Sequence, residues 1–124
     1  MAVRDLEASM KTWEKFLGKE KPDLEYELDD EAIRVARYYV GEVGWEIMVS
    51  TRPGSDVDRF IEKHGEGMML VSFKVPDTTL AMAVLKQNGF EMIDREPRSF
   101  YQSKYAFLNP RFMNGVLVEI IDAQ

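Results

Sequence analysis

Apolar residues along this chain fall into two rhythms, one with helical spacing and one that alternates, and the order of the two rhythms recurs. Leu6, Met10, Trp13 and Leu17 lie on one face of a helix predicted from Asp5 to Leu17, with Gly18 as its stop. Pro22 to Leu28 and Ala32 to Val40 read as strands around an acidic turn, Asp29-Asp30. Gly41-Glu42 supplies a two-residue hairpin loop with glycine first, as a type II′ turn requires, and Val43 to Ser50 is the next strand. Residues 51–55, with Pro53 and Gly54, lead to a short helix whose apolar residues are Val57, Phe60 and Ile61. Met68 to Val75 is then an apolar run between Gly67 and Pro76, and its Val71, Phe73 and Val75 suit a pleated surface. Asp77 takes an N-cap position before Leu80, Ala81, Val84 and Leu85 at helical spacing, and Gly89 stands where the helix end needs a positive φ. Strands are predicted near Phe90 to Asp94, Tyr101 to Leu108 and Val116 to Ile121.

The recurrence is an internal repeat. Val3-Arg4-Asp5 answers Val75-Pro76-Asp77 and Met10 answers Met82, both 72 residues on, while GWEIMV around Glu46 answers VLVEII around Glu119, 73 residues on. Such a repeat predicts two copies of one supersecondary unit packed together. The pattern is βαβββ twice, an α+β fold with its first strand truncated, because Met1 aligns with Phe73 and the counterpart of Leu70 falls upstream of Met1. The expected division is one domain over 1–124, with module one at 1–51, a linker and short helix at 52–66, and module two at 67–124.

Composition narrows the function classes. A chain of 124 residues holds one core, and no apolar run approaches a membrane span. Without cysteine there is no disulfide framework and no thiolate metal site, and a single histidine, His64, excludes a site of several imidazoles within one chain. A net charge of −6 without a basic aromatic stripe argues against nucleic acid, and a reducing cytoplasm is the expected setting.

Two glutamates carry the candidate chemistry. In VLVEII, Val116, Val118 and Ile120 point one way and Leu117, Glu119 and Ile121 the other, so both faces are apolar and Glu119 is expected to be buried. A buried carboxylate needs a partner or a proton. A metal, a cation or a ligand would serve, and so would a structural ion pair with Arg37, Lys74 or Arg111. Glu46 shares its face with Gly44 and Met48 and is the repeat counterpart of Glu119. Read with the repeat, the two carboxylates converge on one cavity, to chelate a cation or to act as acid and base; read alone, Glu46 is a solvated strand residue. His64 continues the apolar face of Phe60 and Ile61 and reads as packing. Arg95, Arg98, Lys104 and Arg111 gather in an irregular stretch, either as a solvated patch or as partners for ligand phosphates.

GEGMMLVSFKVPD followed by YAFLNPRFMNGVLVEIID resembles the vicinal oxygen chelate (glyoxalase/bleomycin resistance/dioxygenase) superfamily, and within it the methylmalonyl-CoA epimerases most. TRPGSDVDRFIEKHGEG is similar to the segment between that family's two modules. The resemblance implies paired βαβββ modules forming an open, curved mixed sheet around a cavity, usually in a homodimer. It also implies a divalent metal held by two histidines and two Glu or Gln residues. Glu119 matches the second module's carboxylate ligand and Glu46 the first module's Glu or Gln, and these two are also the candidate catalytic residues. Met48, Leu70, Ser72, Lys104 and Asn109 are the expected cavity lining.

The chain departs from that pattern at the histidines. Leu70 occupies the second module's histidine position with Met69 beside it, Asn109 replaces the histidine of Phe-Leu-His-Pro, and Gln102 stands where a glycine is usual. A metal site needs its ligand count. The expectation is therefore a protein that binds an acyl-CoA or similar small ligand, with a degenerate metal site holding metal weakly or not at all. The alternative is an active metal-dependent methylmalonyl-CoA epimerase, or a lactoylglutathione lyase-type enzyme, whose missing histidine lies upstream or on a partner chain.

Overall fold

The structure, a computed structural model, describes residues 1–122. It contains two compact units, one of Met1–Met69 and one that begins at Leu70.

In the first unit, helix α1 (Leu6–Leu17) starts where Asp5 accepts a hydrogen bond from Ala8 N and stops at Gly18, whose φ of 69° only glycine adopts at little cost. Strands β1 (Leu24–Leu28), β2 (Ile33–Val40) and β3 (Val43–Ser50) form an antiparallel sheet in that order. Gly41, at φ 61°, turns the chain so that Val40 pairs with Val43. That pairing sets the whole register, and one residue of slip would turn every side chain to the other face. One face carries Ala36, Tyr38 and Ile47 against Val3 and Leu6. There Trp13 meets Trp45 with ring centroids 4.5 Å apart, and Tyr38 donates to Glu14 at 2.5 Å. An aromatic pair of this kind adds about 1 kcal/mol beyond its buried area. The opposite face carries Ile33, Val35, Arg37 and Tyr39 with Ser50, Met48, Glu46 and Gly44. Helix α2 (Asp56–His64) is capped by Ser55, which accepts from Asp58 N.

The second unit opens with β4 (Leu70–Lys74) and α3 (Thr78–Gln87), which Asp77 caps through Leu80 N. β5 (Arg98–Phe100), β6 (Ser103–Leu108) and β7 (Leu117–Ile121) follow, and the sheet order is β4-β7-β6-β5. Only β4 and β7 run parallel, so the sheet is mixed. Met82, Ala106, Leu108, Val118 and Ile120 form the core on its helix side.

The repeat holds at the level of single hydrogen bonds. Ala2 bridges Met48 in parallel as Lys74 pairs with Ile121. Val3 N donates to Met48 O and Val75 N to Ile121 O, both at 2.9 Å. Residues 1–3 thus run beside β3 where the first strand of a βαβββ unit belongs, and Ala2 also pairs with Gly67. The architecture is α+β with open sheets, as expected.

The stretch from the end of α3 to β7 departs most from the sequence expectation. Phe90 to Asp94 is not a strand: it meets β6 through one bridge, Met92 to Leu108, and through Ile93 N to Phe107 O. Asp94 then replaces backbone pairing, its carboxylate accepting from Phe107 N at 2.8 Å. β6 begins at Ser103 rather than Tyr101, because Tyr101 sits at φ 52° in the turn that joins it to β5, a strand the apolar pattern did not reveal. Asn109 caps a short 3-10 turn, Pro110–Phe112, that was also not anticipated.

Candidate functional site

The first unit gathers a polar cluster on the sheet face that also carries Ile33, Val35 and Met48. Arg37 and Glu46 are direct partners across β2 and β3. Arg37 Nε lies 2.6 Å and Nη2 2.5 Å from the same carboxylate oxygen, Glu46 Oε2. Tyr26, reaching from β1, donates its hydroxyl to that oxygen at 2.9 Å. Arg37 Nη1 donates to the Tyr39 hydroxyl at 3.1 Å, and the guanidinium lies 5.6 Å from the Tyr26 ring centroid. Arg37 is 8% exposed, so the pair is largely withdrawn from water. Burial alone would lower the Arg37 pKa, but the Glu46 carboxylate and the bond to Tyr39 outweigh it and hold the guanidinium more firmly charged. Burial, and next the Glu46 charge, push the Tyr26 hydroxyl well above the ordinary tyrosine range.

In the second unit, Glu119 opposes Ser72 across β4 and β7 and Phe107 across β6 and β7. Ser72 donates its hydroxyl to Glu119 Oε1 at 2.6 Å. Around them on the same face lie Tyr105, Phe107 and Ile121, all buried, with Leu70, Leu117 and Phe100 half-covered. Glu119 itself is half-buried, less enclosed than its apolar neighbours in sequence implied, since Ser72 beside it is open to solvent. Arg98 stands on β5 with its guanidinium 4.9 Å from the Phe107 ring centroid and its Nε 2.7 Å from Asp94.

The remaining candidates fall in several places. Met48 is 4% exposed and lies on the Glu46 face, opposite Val35. Leu70 opposes Leu117 on the Glu119 side of the second sheet. Strand alternation puts Lys104 on the helix side with Ala106, where its backbone bonds Thr78 and Asp122. Asn109 spends its side chain locally, accepting from Arg111 N and donating to Glu91. His64 ends α2, exposed, with its ring 4.9 Å from Phe60. The sequence reading missed Arg37 as the partner of Glu46, although the hairpin contained the signal: pairing Val40 with Val43 and counting back three residues on each side brings Arg37 to Glu46. Tyr26 had no such signal, because its approach depends on the pairing of β1 after an irregular turn.

A divalent metal of the imidazole-bound kind does not fit these residues. Glu46 Oε2 already accepts three donors, one charged group among them, and a carboxylate oxygen offers about two lone-pair sites. Glu119 is flanked by Ser72, Leu70 and Phe107, which contribute one hydroxyl and no imidazole. Among the described residues no three of His, Cys, Asp and Glu come together as a metal site.

Comparison with known proteins gives three kinds of likeness. The sequence pattern of the Glyoxalase/Bleomycin resistance protein/Dioxygenase superfamily matches residues 1–107. Uncharacterized protein YqjC of Bacillus subtilis is 31% identical over 96 residues, which cover 77% of this chain and 69% of that protein. Among solved structures, methylmalonyl-CoA epimerase from Mycobacterium tuberculosis superposes with a TM-score of 0.90 at 24% identity, covering 98% of this chain and 83% of that one. A hypothetical protein from Bacillus halodurans gives 0.91 at 26% identity, covering 98% and 88%. A variant of Streptomyces coelicolor methylmalonyl-CoA epimerase, in complex with 2-nitronate-propionyl-CoA, gives 0.90 at 23% identity, covering 98% and 91%. At these identities the likeness to the epimerases is one of fold.

Proposed function

The chain belongs to the glyoxalase/bleomycin resistance protein/dioxygenase superfamily, and on that premise we propose that it binds an acyl thioester of coenzyme A, or a small ligand of similar form, without an imidazole-held metal. The observation that carries this reading is the Glu119–Ser72 pair, a hydrogen-bonded acid among Leu70, Tyr105, Phe107, Leu117 and Ile121, with Arg98 and Lys74 as the further polar residues of that face. Small-molecule sites have this composition, mostly apolar with a few placed polar groups that orient the ligand. Support for the ligand class comes from the structural neighbours, one of which is described in complex with 2-nitronate-propionyl-CoA and another with methylmalonyl-CoA. The departures at the histidine positions, Leu70 above all, favour binding over metal-assisted proton abstraction.

The test is calorimetric titration with propionyl-CoA and with free coenzyme A, in the presence of a chelator. Propionyl-CoA is expected to bind, and more tightly than free coenzyme A. Ser72→Trp, which adds bulk beside Glu119 at a solvent-open position, is expected to weaken propionyl-CoA at least tenfold, about 1.4 kcal/mol. Absence of binding by the unmodified chain, or unchanged affinity in Ser72→Trp, would overturn the reading.

A further inference from the structure

The two carboxylates singled out by the repeat have unlike neighbours at equivalent positions. Across the second sheet Glu119 is opposed by Phe107; across the first, Glu46 is opposed by Arg37. Charge therefore enters the first sheet where an aromatic ring stands in the second. We propose that the Arg37 guanidinium is the resident cation of Glu46, taking the place of the divalent ion implied by the superfamily resemblance and keeping such ions out.

Three observations converge on this. Nε and Nη2 of Arg37 close on one carboxylate oxygen from within the same sheet, so no partner chain or ligand is needed to neutralise Glu46. Tyr26 adds a third donor to that oxygen, which leaves it saturated. The guanidinium is itself held in place, by the Tyr39 hydroxyl on Nη1 and by its 8% exposure. A planar guanidinium matches a carboxylate in geometry and cannot lose its charge in a protein, whereas a lysine could swing away or deprotonate. A metal ion approaching Glu46 Oε2 would have to displace these donors, and at either carboxylate oxygen it would sit beside a fixed positive charge in a poorly hydrated place. Hard cations that need only oxygen ligands meet the same obstacle as imidazole-seeking ones.

This rests on the superfamily reading but not on the identity of the ligand, and its test is run without any acyl thioester so that the two fail separately. Manganese is titrated against the chain with free ion read by electron paramagnetic resonance. The unmodified chain is expected to bind no manganese that depends on Glu46. Arg37→Met, which keeps the length and removes the charge, is expected to gain at least tenfold in affinity, and the gain is expected to vanish in Arg37→Met combined with Glu46→Gln. Manganese bound by the unmodified chain and lost in Glu46→Gln would overturn the proposal, and so would a folded Arg37→Met that gains nothing. Should Arg37→Met not fold, the Arg37 Nε–H resonance of the unmodified chain decides. It is expected to exchange slowly with solvent and to stay unmoved by saturating magnesium; displacement by magnesium would overturn the proposal.

Discussion

Arg37 and Glu46 form a largely buried ion pair across two neighbouring strands, with side chains 10% and 23% exposed and both guanidinium contacts on one carboxylate oxygen. Removing one member of such a pair leaves the other charge buried without its partner, which costs about 3–5 kcal/mol, while replacing both with apolar residues is often nearly neutral. Glu46→Leu is therefore expected to lose about 3 kcal/mol. Glu46→Leu combined with Arg37→Met is expected to lose less than Glu46→Leu alone. Urea denaturation of the four proteins in a double-mutant cycle measures this. Additive losses would mean that the pair contributes no coupling.

Acid sensitivity has a separate origin, at the far end of β7. Asp122 accepts from Lys104 N at 2.8 Å and from Thr78 N at 2.9 Å, and these backbone bonds hold its carboxyl below the ordinary value of 3.8. A depressed folded value means that the stabilisation is whole above 3.8, the unfolded value, and drains away as pH falls through the lower, folded one. Asp122→Asn, which cannot ionise, is expected to be less stable at neutral pH and to lose less on acidification than the unmodified chain. Denaturation midpoints followed from neutral pH to well below 3.8 read the difference. Parallel pH profiles for the two proteins would contradict it.

Helices and turns were legible in the sequence because their determinants are local. Asp77 caps as its position predicted, Asp5, expected as the first helical residue, caps α1 in the same way, and Gly18 and Gly41 adopt the positive φ that their places demand. The repeat was legible too, since Met48 and Ile121 receive the same hydrogen bonds 73 residues apart. β5 was not, because Arg98-Ser99-Phe100 is too short and too polar to alternate visibly, and its place depends on Asp94 holding Arg98. For the candidate site, the facing of Glu46 and Glu119 followed from strand alternation. The partners followed only in part. Arg37 could have been reached from the hairpin register, whereas Ser72 meets Glu119 through a parallel pairing between strands far apart in sequence, which no local pattern encodes.

Metal content and ligand affinity read on one sample test the central claim most directly. The chain is purified from cells grown with added cobalt and manganese, dialysed without chelator, assayed for bound metal by mass spectrometry, and titrated with propionyl-CoA before and after chelation. The predicted result is far less than one metal ion per chain and the same propionyl-CoA affinity in both states. About one tightly held ion per chain, with ligand binding that disappears when a chelator removes it, would contradict a site whose cation is Arg37.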